Sequence, residues 1–306
     1  MPHPVSAAPW HDGLALVCNY SQLFLVNLAT GAVQVLEPPP EVPQWCPTGL
    51  AARLEANLLF VANYTGKDVW IFRLEGTTLR VERRLQDEEL ISPENLAVSA
   101  DGNLLAVADY DSNRLLLFET SGRKLWTRPV GMAHGVDFGP GCVAAAGLKE
   151  RALFVFDRSG QPLDRNGLLG WGPGKYLWPT SVRRRGAGWI VSDAHTGLIS
   201  LLDEQLRVRA QVGGNGPAAG LFNMPYAAQP WGAAVLVCDT FHDRLVLLND
   251  KLECTQVIGA DGATPWTPAE VRTTHKDDYW DRSQSLAVAL PGLPPSRWHW
   301  GYGEFL

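Results

Sequence analysis

Internal repetition limits what this chain can fold into more than any other feature of it. Residues 5–10 read Val-Ser-Ala-Ala-Pro-Trp and residues 16–19 read Leu-Val-Cys-Asn; near the other end, residues 226–231 read Tyr-Ala-Ala-Gln-Pro-Trp and residues 236–239 read Leu-Val-Cys-Asp. Four more copies lie between them. Each opens on Pro or a small residue, namely Pro4, Pro47, Pro93, Ala133, Pro179 and Pro225, at spacings of 43, 46, 40, 46 and 46. A first apolar run then ends at Asn19, Asn63, Asp109, Gly147, Asp193 or Asp239. In five copies a second run ends ten residues later, at Arg73, Glu119, Asp157, Asp203 and Asn249. A constant spacing means a constant hairpin.

Tight turns with glycine follow, at Gly31, Gly76, Gly122 and Gly160, where glycine supplies positive φ. The unit is four strands in ~45 residues, and a period of that size marks a solenoid or propeller. One such unit cannot bury its two faces alone. Six around an axis bury both faces of each sheet and leave only short edges. The runs are almost continuously apolar, as in sheets covered on both sides. The expected fold is all-β, a six-bladed β-propeller of four-stranded antiparallel blades over residues 1–259.

Residues 213–225, Gly-Gly-Asn-Gly-Pro-Ala-Ala-Gly-Leu-Phe-Asn-Met-Pro, with residues 237–245, Val-Cys-Asp-Thr-Phe-His-Asp-Arg-Leu, closely resemble the NHL repeat. Residues 170–179 and 108–115 resemble it too. The resemblance spans about residues 4–258, is strongest in copies 3, 5 and 6, and is weakest in copy 4, where Gly147 replaces Asn or Asp. It implies the propeller fold. It does not imply one activity, because the family holds lyases, other enzymes and binding modules.

Composition narrows the partners. A formal net charge of -6 argues against a nucleic-acid surface. The one basic run, Arg183-Arg184-Arg185, reads as a solvated turn. There is no signal peptide pattern and no apolar run long enough for a membrane span. Cys18, Cys46, Cys142, Cys238 and Cys254 are odd in number and lack motif spacing, so free thiols and a cytoplasmic location are expected. Cys18 and Cys238 share a repeat position with Ala62, Ala108 and Ser192, a slot for small core residues. Residues 260–306 fall outside the repeat and carry Trp266, Trp280, Trp298 and Trp300. They read as a Trp/Pro-rich tail packed on the propeller, with an exposed interaction arm as the alternative.

The first strand of each blade lines the axis, so the residue after each leading position should reach the channel mouth. These are Val5, Thr48, Glu94, His134, Thr180 and Tyr226. Glu94, His134 and Tyr226 are the candidate catalytic residues: a carboxyl and an imidazole from neighbouring blades as an acid–base pair, and a phenol as donor to a developing oxyanion. Thr48, Thr180, Asn63, Asp109, Asp193, Asp239, His195 and His242 are candidate ligand-binding residues at the same face. Tyr20, Tyr64 and Tyr110 lie nearby. The repeated Asn and Asp positions also suit turn caps that accept backbone N–H bonds.

No P-loop, dinucleotide fingerprint or nucleophile elbow occurs, so no nucleotide cofactor is expected. A divalent metal is the minor reading, because only His134 occupies an axial position and no tight ligand spacing is present. Three functions compete: an enzyme of lyase, hydrolase or cyclase type, a module binding a small molecule at the mouth, and a protein-interaction scaffold. Neither the ligand nor the reaction follows from the residues.

Overall fold

A computed structural model describes residue 1, residues 3–170 and residues 172–259 of the chain. The tail read at residues 260–306 lies outside the described residues. Six sheets, each of four antiparallel strands in simple sequential order, make up the blades. Strands are labelled a to d from the axis outward.

The a strands are Ser6–Pro9, Pro47–Arg53, Pro93–Val98, Ala133–Gly139, Pro179–Arg185 and Pro225–Trp231. The b strands are Leu14–Cys18, Leu58–Asn63, Leu104–Asp109, Cys142–Gly147, Gly188–Asp193 and Ala234–Asp239. The c strands are Leu23–Asn27, Asp68–Glu75, Arg114–Glu119, Ala152–Asp157, Leu198–Leu202 and Arg244–Leu248, and the d strands close each blade on the outside. Five of the six repeat-leading residues are the first residue of an a strand. Proline suits that place, because the first residue of a strand need not donate to the ladder.

The core lies between blades. Leu105, Val107, Leu116 and Phe118 of blade 3 meet Phe60, Ala62, Val69 and Ile71 of blade 2. Ala106, Leu115 and Leu117 on the other face of blade 3 meet Val136, Val143 and Ala145 of blade 4. Alternate residues of a strand thus serve opposite interfaces, which follows from the two-residue strand period. Burying one Leu or Phe side chain contributes about 1.5–3 kcal/mol, so each interface is a strong adhesive surface. Blades 1 and 6 join in the same way, through Ala15, Val17 and Phe24 against Leu236, Cys238, Leu245 and Ile258. Hydrogen bonds from Thr240 Oγ1 to Pro4 O (2.8 Å) and from Gln256 Nε2 to Leu28 O (2.6 Å) span that seam.

At two junctions the inner strands approach so closely that the residue two after the leading position has no room for a side chain. A Cβ on Gly49 would stand 2.5 Å from Asn95 Cα, and one on Gly135 would stand 2.6 Å from Ser181 Cα and Val182 N. Cys18 and Cys238 are free, buried thiols in the small-residue slot, and burial raises the pKa of both.

The solvated-turn reading of Arg183-Arg184-Arg185 is corrected by the structure. All three belong to the a strand of blade 5. Arg183 is buried and bonds Val136 O (2.7 Å), Leu96 O (3.3 Å) and Asn95 Oδ1 (2.8 Å), tying blade 5 to blades 4 and 3 across the axis. Arg184 points the other way, onto the Trp189 ring and Glu204. Burial lowers the Arg183 pKa against the opposing pull of Asp137.

Candidate functional site

A register shift occurs next to the leading residue in five of the six a strands. Pairing jumps from Pro47 to Gly49, from Pro93 to Asn95, from Ala133 to Val136, from Pro179 to Ser181 and from Pro225 to Ala227. The residues skipped are Thr48, Glu94, His134 with Gly135, Thr180 and Tyr226. A bulge removes a residue from the ladder and re-aims its side chain. The fold therefore frees these side chains from the pleat at one end of the channel.

Three of them converge. Glu94, His134 and Tyr226 are 3%, 5% and 4% exposed. His134 Nε2 lies 3.6 Å from Glu94 Oε1, and the His134 and Tyr226 rings meet edge to face at 5.6 Å. On its other side, His134 Nδ1 donates to the Thr180 carbonyl at 2.7 Å. A carbonyl can only accept, so Nδ1 carries the hydrogen and Nε2 faces Glu94. A separation of 3.6 Å is longer than a direct hydrogen bond and within ion-pair range.

More rings complete the cluster. Tyr110 meets His134 at 6.3 Å, and Trp178 meets Tyr226 at 6.5 Å and His195 at 4.4 Å. Burial raises the Tyr20 phenol pKa well above the ordinary range, and Tyr226 and Glu94 raise it further. Burial likewise raises that of Tyr64, with Glu94 adding to the effect. Tyr64 donates to Asp111 at 2.8 Å. Tyr20 is held at φ +68°, a left-handed conformation that bulky residues rarely adopt, and its amide donates to Pro47 O at 3.1 Å. Every blade thus contributes one ring: Tyr20, Tyr64, Tyr110, His134, Trp178 and Tyr226.

The other candidates are engaged elsewhere. Thr48 Oγ1 donates to Pro93 O at 2.9 Å, and Thr180 Oγ1 reaches Pro225 O at 3.3 Å, so both latch one blade to the next. The strand-b ends clamp the segment that leads into their own a strand. Asn63 Oδ1 accepts from Cys46 N (2.7 Å), and Asp109 accepts from Ile91 N (2.8 Å) and Ser92 N (3.0 Å). Asp193 accepts from Leu177 N (2.7 Å) and Trp178 N (3.1 Å), and Asp239 from Asn223 N (2.6 Å). His242 Nδ1 and Arg244 Nε also bond Asp239, at 2.8 and 2.6 Å, which keeps His242 in its own turn. His195 packs on Trp178, and burial lowers its pKa to about 4, helped by the charge of Arg151.

Trp178 is the ring that sequence reading missed. Its signal was its place directly before a leading proline, where the other copies carry Cys46, Ser92, Met132 and Met224. Among the described residues, no three His, Cys, Asp or Glu side chains gather as a metal-binding set.

No protein-family model matches the chain, and no curated protein matches it. Among solved structures, a chain in the crystal structure of a nidogen/laminin complex is similar in shape, with a TM-score of 0.63 over 80% of this chain and 92% of that one, at 14% identity. That likeness shows a shared β-propeller fold.

Proposed function

We propose that this propeller binds a small molecule at the channel mouth, in the cluster built on Glu94, His134 and Tyr226. The carrying observation is the 3.6 Å approach of two buried titratable groups that recur in no other blade. Repeated positions in a propeller serve the repeat, whereas unique polar groups crowded at one end of the axis serve a ligand. The fixed Nδ1–H of His134 leaves Nε2 as the atom able to exchange a proton with that ligand, and Glu94 as its partner, which is the arrangement of a general acid–base pair.

The residues that resemble the NHL repeat support placing the chain with that family, and the five free thiols support a cytoplasmic location. Native mass spectrometry of the purified chain, followed by a fragment screen against wild type, Glu94→Gln and His134→Ala, tests the proposal. Loss of a bound molecule in both variants is the expected result, with Glu94→Gln melting close to wild type and His134→Ala melting lower, for want of its bond to the Thr180 carbonyl, but still cooperatively. Unfolding of both variants overturns it, because the two residues would then be structural.

A second reading is a protein-interaction scaffold. It draws on the solved neighbour, which is part of a protein complex, and on Leu163 of the outer strand of blade 4 with Leu168 and Leu169 in the connection that follows it, each more than half exposed.

A further inference from the structure

We infer that the ligand of the channel mouth is an organic cation, an alkylated ammonium group held by Glu94 inside the ring of aromatic side chains. The inference rests on the channel-mouth reading above and names its chemical class. Three observations carry it.

The first is the wall. Rings from six blades gather at one end of the channel: Tyr226 and Tyr110 edge-on to His134, which itself lies 3.6 Å from Glu94, Trp178 against Tyr226, and Tyr20 and Tyr64 within electrostatic range of Glu94. Aromatic faces carry partial negative charge and attract a cation within about 6 Å of the ring centroid, and they bind alkylated ammonium groups best because those shed water easily. Glu94 adds a carboxyl group, an acceptor for an ammonium group.

The second is the donors. An anionic ligand needs N–H groups, and the backbone amides that lead into the a strands are spent. Those of Cys46, Ile91, Ser92, Leu177, Trp178 and Asn223 all point at Asn63, Asp109, Asp193 or Asp239. Arg183, the buried cation of the channel, lies deeper in the a strand and is committed to Asn95, Leu96 and Val136. Beside the phenol hydroxyls, which donate as well as accept, the mouth therefore offers π faces and acceptors.

The third is strain. The left-handed backbone of Tyr20 costs roughly 1–2 kcal/mol for a residue with a Cβ, yet it carries a large ring at the site. Backbone strain of this kind concentrates at ligand sites.

The test is isothermal titration of the full chain with choline and with its uncharged carbon isostere, 3,3-dimethylbutan-1-ol. The two have nearly the same shape and differ in charge. Choline should bind at least about tenfold tighter than the isostere, a difference of about 1.4 kcal/mol. Glu94→Gln should weaken choline by about tenfold or more, and Tyr226→Leu should weaken it more than Tyr226→Phe, which keeps the π face. Equal binding of the isostere overturns the inference. So does an unchanged choline affinity in Glu94→Gln, and so does the absence of binding by choline, tetramethylammonium and propylammonium up to about 10 mM. The channel-mouth reading fails separately: it survives any of these results if a neutral or anionic fragment binds wild type and is lost in His134→Ala, and it falls if no fragment of any charge does so.

Discussion

The two ring nitrogens of His134 look in opposite directions, Nδ1 to the Thr180 carbonyl at 2.7 Å and Nε2 to Glu94 at 3.6 Å. One side is a latch between blades 4 and 5, and the other faces the proposed ligand site. The two roles separate by mutation. His134→Phe keeps a ring but leaves the buried Thr180 carbonyl without that donor, and it should cost about 1–2 kcal/mol in urea unfolding. Glu94→Gln should cost less than half of that, because it leaves the latch in place.

Gly135 sits where blades 4 and 5 come closest. Gly135→Ala places a Cβ 2.6 Å from backbone atoms of Ser181 and Val182, which cannot move aside as a side-chain tip can. Overpacking of this kind should destabilise the chain by about 1–3 kcal/mol, read as a lower denaturation midpoint at unchanged m-value.

Arg183 is a planar fork that serves acceptors on two other blades. Arg183→Met removes the donors to Leu96 O, Val136 O and Asn95 Oδ1, of which Asn95 Oδ1 keeps its bond from Leu96 N, at an expected cost of about 2–4 kcal/mol. Arg183→Lys should recover little, since an ammonium cannot span the same acceptors. Thermal unfolding of both variants checks this.

His195 makes stability depend on pH in a known direction. Its imidazole is held neutral in the folded chain, with a pKa of about 4 caused chiefly by burial. The unfolded chain takes up that proton near pH 6.5, so stability is full above that value and falls as pH drops toward 4. The loss should be about 1–3 kcal/mol, because His195 keeps some contact with solvent. Urea unfolding across pH 4–7 should show a shallower slope in His195→Gln than in wild type.

Much of the fold was written plainly in the repeat. Pro47, Pro93, Ala133, Pro179 and Pro225 start a strands, and Asn63, Asp109, Gly147, Asp193 and Asp239 end b strands, because turn chemistry recurs wherever the turn recurs. The bulges were not legible. A register shift is a property of two paired strands, and the skipped residues Thr48, Glu94, Thr180 and Tyr226 have nothing in common as side chains. Arg183 misled for a similar reason. Three adjacent charges read as solvated until it is known that a strand sends alternate residues to opposite faces, and that one face here is the closed centre of a ring. Tyr20, Tyr64 and Tyr110 recur at one repeat position and were visible as neighbours of the site, whereas Trp178 stands alone before its proline.

The four strands of each blade are consecutive in the chain, and among the described residues no strand is lent across the seam between blades 1 and 6. Among the described residues the seam is therefore held by the same kind of side-chain packing as the other junctions, with hydrogen bonds added, among them His3 N to Asp243 Oδ1 at 2.7 Å. The ring has no privileged starting point. A chain that began at blade 3 and ran round to blade 2 would keep every one of these sheets whole, so the order of the blades along the sequence is not a condition for holding the circle.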